Sequence, residues 1–100
     1  IYVAGQVGNI PGTNELVPGG IRKETMQTMK NIEGVLLALG SSMDKVFKCT
    51  CMLSDISEWG QMSEEYIKFF KDGKRPSRSA FAGTGLALGA KVEIECWAIK

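Results

Sequence analysis

The spacing of apolar residues changes period along the chain, and each change marks an element. Residues 1–7, IYVAGQV, are β-branched, aromatic and small, which predicts a strand. Residues 9–20, NIPGTNELVPGG, are rich in Gly, Pro and Asn and predict a loop. From Ile21 the period lengthens. Met26, Met29, Ile32, Val35, Leu36 and Leu39 recur at three and four, so one face of a helix is apolar. Gly40 is the expected stop. Gly34 inside this helix costs about 1 kcal/mol against alanine, so it reads as a place of close packing on a sheet. Residues 46–53, VFKCTCML, alternate, with Phe47, Cys49, Cys51 and Leu53 on one face and Lys48 and Thr50 on the other. Asp55 and Glu58 form a variant capping box ahead of a second helix, where Trp59, Met62, Tyr66, Phe69 and Phe70 keep helical spacing up to Asp72-Gly73. Residues 77–84, SRSAFAGT, predict a third strand and LALGA a turn. KVEIECWAIK predicts a fourth strand with Val92, Ile94, Cys96 and Ala98 on one face and Glu93, Glu95, Trp97 and Ile99 on the other.

The order β, α, β, α, β, β predicts an α+β fold: a two-layer sandwich in which two helices cover one face of a mixed sheet. One domain spans residues 1–100. The last two strands are separated by a short turn and are expected to be neighbours. The uncovered face would present Trp97 and Ile99 beside two carboxylates, an apolar patch best buried against another subunit.

Composition narrows the chemistry. Twelve Lys+Arg against eleven Asp+Glu give a net charge of +1, which offers no electrostatic case for nucleic acid as the main partner. The basic run KDGKR at 71–75 reads as a solvated loop. The longest apolar run, VLLAL, is too short to cross a bilayer. The chain has no histidine, which excludes Ser-His-Asp and Cys-His catalysis and HExxH zinc sites, and three cysteines cannot build a Cys₄ site. No metal is therefore expected. Cys49 and Cys51 share a strand face and are poorly placed to bond to each other. The odd count argues for buried reduced thiols in a reducing compartment, the cytoplasm or the mitochondrial matrix.

One segment stands out, RPSRSAF at 75–81. Arg78 opens a strand that is otherwise small and apolar, and its planar fork of donors matches a carboxylate. Glu93 lies early in the next strand and can orient a water or carry a proton. The pair can meet within one molecule or across a subunit interface. An anion clamp beside a water-handling carboxylate suits hydrolysis of a small organic acid. A structural Arg–Glu ion pair at an interface is the plainer reading of the same two residues.

The chain resembles the RidA family of 2-imino acid or enamine/imine deaminases, also known as endoribonuclease L-PSP. The resemblance rests on VAGQV, on GGIRKETMQTMKNIEGVLLALGSSMDKVFKCTCMLSDISEW, on EEYIKFF, on RPSRSAF and on GAKVEIECWAI, in that order along nearly all 100 residues. It implies a chorismate-mutase-like fold of the Bacillus type, a homotrimer with clefts between subunits, and no cofactor. The implied activity is hydrolysis of reactive 2-imino acids or enamines to 2-oxo acids and ammonia. The arginine of P-x-R-S, Arg78, would grip the substrate carboxylate, and the glutamate opening V-E-I-E, Glu93, would position the water. Main-chain groups at Gly5, beside Ala4, and at Ala80 would complete the pocket. Ala4 stands where many members have serine, Ala80 where many have cysteine, and Ser63 where members often carry asparagine. A family tyrosine upstream of the first strand has no counterpart. A regulatory protein that binds 2-oxo acids, and a ribonuclease or translation inhibitor, are the competing functions.

Overall fold

A computed structural model describes all 100 residues. The predicted order is present: β1 (Tyr2–Gln6), α1 (Ile21–Ala38), β2 (Val46–Leu53), α2 (Trp59–Ile67), β3 (Ser77–Ala82) and β4 (Val92–Ala98). The four strands form one sheet in the order β1-β4-β2-β3. β4 is antiparallel to both β1 and β2, and β2 runs parallel to β3 across the α2 crossover, so the sheet is mixed. The fold is α+β. The two helices pack on each other and on one sheet face, closing a single core of Met29, Ile32, Leu36, Cys49, Leu53, Met62, Tyr66, Ile94 and their neighbours.

The expectation that β3 and β4 are neighbours is incorrect, because β2 lies between them. A short turn joins β3 to β4, but its chain passes over the end of β2 rather than folding back as a hairpin. Arg78, level with Cys49, and Glu93, level with Met52, therefore stand two strand spacings and three residues apart, roughly 14 Å between backbones.

Three other readings change. The face assignment of Phe47 fails because a bulge between Val46 and Lys48 shifts the register against β4. Val46 turns inward and Phe47 outward, while Cys49, Cys51 and Leu53 keep their predicted places. The buried stripe of α1 is Ile21, Thr25, Thr28, Met29, Ile32 and Leu36, while Leu39 is exposed. Two threonines thus sit in the core, and the Thr28 hydroxyl donates to the Glu24 carbonyl at 2.7 Å, as expected for a hydroxyl buried on a helix. Gly34 faces open space rather than a sheet, and nothing lies within 4 Å of where its Cβ would be.

Helix α2 ends at Ile67, earlier than its apolar spacing predicts. The chain continues in tighter turns, Phe69 N–H to Tyr66 O and Phe70 N–H to Ile67 O, which still carry Phe70 into the core. Asp55 caps a preceding 3₁₀ turn, accepting the Ser57 N–H at 2.9 Å. Glu65 of α2 is buried and pairs with Arg22 of α1 at 3.0 Å and with Lys68 at 3.1 Å. Lys68 and Arg22 together hold its carboxyl below the usual carboxylate range.

Helix α1 also fastens the two ends of β4's surroundings. Asn31 donates to the carbonyls of Val7 and Asn9, each at 3.0 Å, pinning the chain as it leaves β1. The buried Glu24 carboxylate accepts the Lys91 N–H at 2.9 Å, fixing the entry to β4. Both attachments flank Glu93.

Candidate functional site

In the parallel β2–β3 pair, Arg78 stands beside Cys49 and Ala80 beside Cys51. The two cysteines point into the core, so Arg78 and Ala80 lie on the helix-covered side of the sheet, at its β3 edge. There the Arg78 side chain meets α2. One guanidinium nitrogen donates to Ser63 Oγ at 3.0 Å. The guanidinium carbon lies 5.0 Å from the ring centroid of Trp59 and 4.9 Å from that of Tyr66. Trp59, Ser63 and Tyr66 are spaced four and three apart, so one face of α2 supplies all three contacts.

The electrostatics of this niche are unbalanced. Two π faces and a hydroxyl orient the cation, but none of the chain's ion pairs includes it. Ser63 is its one side-chain hydrogen-bond partner, so most of the fork's donors remain available. The arginine is half-buried rather than splayed into solvent. A half-buried guanidinium without a carboxylate partner is able to receive an anion, and its planar fork matches the geometry of a carboxylate. Within one chain, no ion pair joins Arg78 to Glu93.

Glu93 occupies the other side of the sheet. Its neighbours Val92 and Ile94 are fully buried under the helices, and Glu93 alternates away from them, half-buried, opposite Met52 of β2. On its β1 side the register slips between Val3 and Gln6, so Ala4 and Gly5 form a bulge. The Glu93 carboxylate lies over Gly5, and a Cβ there would collide with its Oε2. This is the physical reason for a glycine after Ala4: the carboxylate fills the space that a side chain would take. Both Ala4 and Gly5 are exposed on this rim.

Arg78 and Glu93 of one chain therefore point to opposite faces and do not meet. Ala80 accompanies Arg78, while Ala4 and Gly5 accompany Glu93. Trp59 and Tyr66 were read from the sequence only as helix-packing residues, and Ser63 only as a substitution. The 59, 63, 66 spacing put them on one helix face, but nothing in it said that this face looks at Arg78. That depends on the β2–α2–β3 crossover, which lays α2 over its own following strand.

The open face around Glu93 carries a cluster of exposed large apolar side chains. Tyr2 and Trp97 stack at 4.8 Å, the Tyr2 hydroxyl donates to Glu95 at 2.6 Å, and Phe47, Phe81 and Ile99 are each at least half exposed. No helix is long and apolar enough to cross a membrane.

Comparison with known proteins gives a consistent result. The family model described as Endoribonuclease L-PSP matches residues 1–100. The rat 2-iminobutanoate/2-iminopropanoate deaminase is 39% identical over 100 residues, covering the whole of this chain and 72% of the rat protein. Among solved structures, RidA from an Antarctic Psychrobacter superposes with a TM-score of 0.89 at 31% identity, covering 98% of this chain and 79% of that one. Escherichia coli TdcF with bound serine superposes with a TM-score of 0.90 at 26% identity, covering 99% and 79%.

Proposed function

This chain belongs to the endoribonuclease L-PSP family, and from that premise we propose that it hydrolyses reactive 2-imino acids and their enamine tautomers to 2-oxo acids and ammonia. The observation that carries the reading is the Arg78 niche, an oriented guanidinium with no carboxylate of its own. A 2-imino acid supplies the missing carboxylate one bond from its reactive carbon. Gripping that carboxylate fixes the C=N carbon and converts a chance encounter with water into an oriented one.

Glu93 supplies the water. Because it faces the other side of the sheet, the Glu93 that serves a given Arg78 comes from a neighbouring copy of the chain. The open face, with Tyr2, Phe47, Phe81, Trp97 and Ile99, is the surface such a copy would cover. The assembly is a homotrimer of chorismate-mutase-like domains, each spanning residues 1–100, with a cleft at every subunit boundary. In that cleft, Arg78 with the Ala80 main chain comes from one subunit, and Glu93 with the Ala4–Gly5 rim from the next. Water held by Glu93 adds to the imine carbon. The carboxylate takes up one of the water's protons and passes it to nitrogen, giving a carbinolamine; it then carries the hydroxyl proton to nitrogen as the C–N bond breaks, the C=O bond forms and ammonia leaves. An imine is already electrophilic, so neither a cofactor nor a histidine is required. The three free thiols fit a reducing compartment, cytoplasmic or mitochondrial.

A second reading has one observation in its favour. TdcF, of the same fold, was solved with bound serine, so a protein of this fold also holds an amino acid. On that reading the chain senses small acids without turning them over. Ribonuclease activity, which the family's name suggests, has little support from a charge of +1 and no histidine.

The deciding experiment generates imine in place with an amino-acid dehydratase and traps what survives with semicarbazide. The wild-type protein is expected to accelerate 2-oxo acid release and reduce trapping, and Arg78→Ala to do neither while keeping its assembled mass. Binding of 2-oxobutyrate with no change in trapping would favour the sensor.

A further inference from the structure

Beneath the Arg78 niche lie two thiols that the proposed chemistry does not use. Cys49 and Cys96 are opposite each other on β2 and β4, both fully buried, with their sulfurs 2.7 Å apart. The ladder shows what kind of pair this is. Ala98 exchanges both backbone hydrogen bonds with Ile1, so the even-numbered residues of β4 turn their N–H and C=O toward β1. The Lys91 carbonyl instead accepts the Ser54 N–H, so odd-numbered residues turn toward β2. Cys96 and Cys49 are consequently a non-hydrogen-bonded pair, the closer of the two antiparallel types, with Cα atoms about 4.5 Å apart. That separation lies at the near end of the range a disulfide spans, and both side chains leave the same sheet face. Cys51 is two residues from Cys49 along one strand and opposite Ile94, so it has no such partner.

We propose that Cys49 and Cys96 are a modification site: an intramolecular dithiol that peroxide converts to a cross-strand disulfide, with Cys51 left free. The surroundings assign the roles. Cys49 is the thiol that loses its proton first. Its contact with the Cys96 sulfur, in which either thiol is able to donate, the nearby Tyr66 hydroxyl, buried without a well-aligned partner, and the Arg78 charge together lower its pKa. The hydrogen bond to Cys49 and burial keep Cys96 protonated. Burial pushes Cys51 up to about 12, so it stays inert.

The chemistry balances with hydrogen peroxide as oxidant. The Cys49 thiolate attacks one peroxide oxygen, the O–O bond breaks, and hydroxide leaves, giving the sulfenic acid. The Cys96 sulfur then attacks the Cys49 sulfur, the S–O bond breaks, and water leaves. The two thiol protons and the two oxygens of peroxide end as two waters, and two electrons pass from the sulfurs to peroxide. The new bond ties β4, which carries Glu93, to β2, which lies beside the strand of Arg78. The inference does not depend on the deaminase reading.

The test uses the folded chain of residues 1–100 treated with excess hydrogen peroxide, quenched with an alkylating agent in urea, and measured by intact mass and peptide mapping. The expected product has lost two hydrogens, retains one alkylatable thiol of the three, and yields a single linked peptide pair containing Cys49 and Cys96. In Cys96→Ser the resolving thiol is gone, and dimedone is expected to label Cys49 and not Cys51. Cys51→Ala is expected to form the disulfide as wild type does. Three alkylatable thiols after treatment, a link through Cys51, or a link between chains would overturn the proposal. These readings on wild-type protein do not rely on any variant folding.

Discussion

On the helix side of the sheet, Cys49, Cys51, Leu53, Val92, Ile94 and Cys96 have no surface left in water. On the other side of the same strands, Tyr2, Phe47, Phe81 and Trp97 keep between 42% and 53% of theirs. The covered face is finished within one chain. Two helices seat on it, and at its edge α2 shapes a niche that holds Arg78 in one orientation. The bare face mixes large aromatic side chains with polar ones such as Thr50 and Glu95, has nothing to pack on within one chain, and carries Glu93. Stability thus belongs mainly to one face; on the proposed reading, assembly belongs to the other. A reaction that needs both residues needs more than one copy of the chain.

The sharpest way to break this contrast is to divide the two residues between subunits. Arg78→Ala and Glu93→Gln are each expected to lower kcat/KM by about 10²–10³-fold, the usual cost of a lost transition-state contact. Mixed by unfolding and refolding together in equal amounts, they are expected to recover roughly a quarter of wild-type activity. That is the random share of clefts pairing an intact Arg78 with an intact Glu93 in a cyclic assembly. No recovery from refolded, assembled mixtures would mean that the two residues act within one chain, or not together.

The stability half of the contrast is tested by truncating each face. Leu36→Ala is expected to cost 2–5 kcal/mol in urea unfolding, as a large side chain lost from a sealed core does. Trp97→Ser is expected to leave most of the chain's own stability but to shift the assembled mass toward monomer at micromolar concentration. The reverse pattern would remove the assignment of assembly to the bare face.

A finer test concerns the rim beneath Glu93. Gly5→Ala places a methyl where the carboxylate lies, so the carboxylate must move. Activity is expected to fall about tenfold, since small misplacements of a reacting group are costly, with 2-oxobutyrate binding through Arg78 retained. The smallest expected effect lies far from both faces of the sheet. Gly34→Ala is expected to gain about 1 kcal/mol in unfolding free energy, because the position is helical and open, and alanine restores helix propensity there.

Much of this architecture was legible in the residue pattern, and the exceptions have physical causes. Alternation in VEIECWA gave the faces of β4 without error, because a strand covered on one side must alternate. The same rule failed at Phe47, where a one-residue bulge reverses the alternation and leaves no mark in the residue types. The helical stripe of α1 was displaced because Thr25 and Thr28 are buried, and a threonine whose hydroxyl can bond to the helix backbone does not look apolar. Arg78 was found because a guanidinium is out of place in a small, apolar strand. Trp59 and Tyr66 were missed as its cradle because aromatic residues at helical spacing look like any core stripe.

What the sequence determined by itself was local: which segments are helix or strand, which faces are apolar, and which side chains are chemically unusual. Period and propensity act over a few residues, and they are sufficient for that. What only the tertiary structure decided was adjacency. That β2 separates Arg78 from Glu93, that the two look to opposite faces, and that Cys49 faces Cys96 across 47 positions of chain all follow from strand order and register. Strand order and register are set by the burial of the whole apolar face at once, a free energy that no short stretch of residues contains.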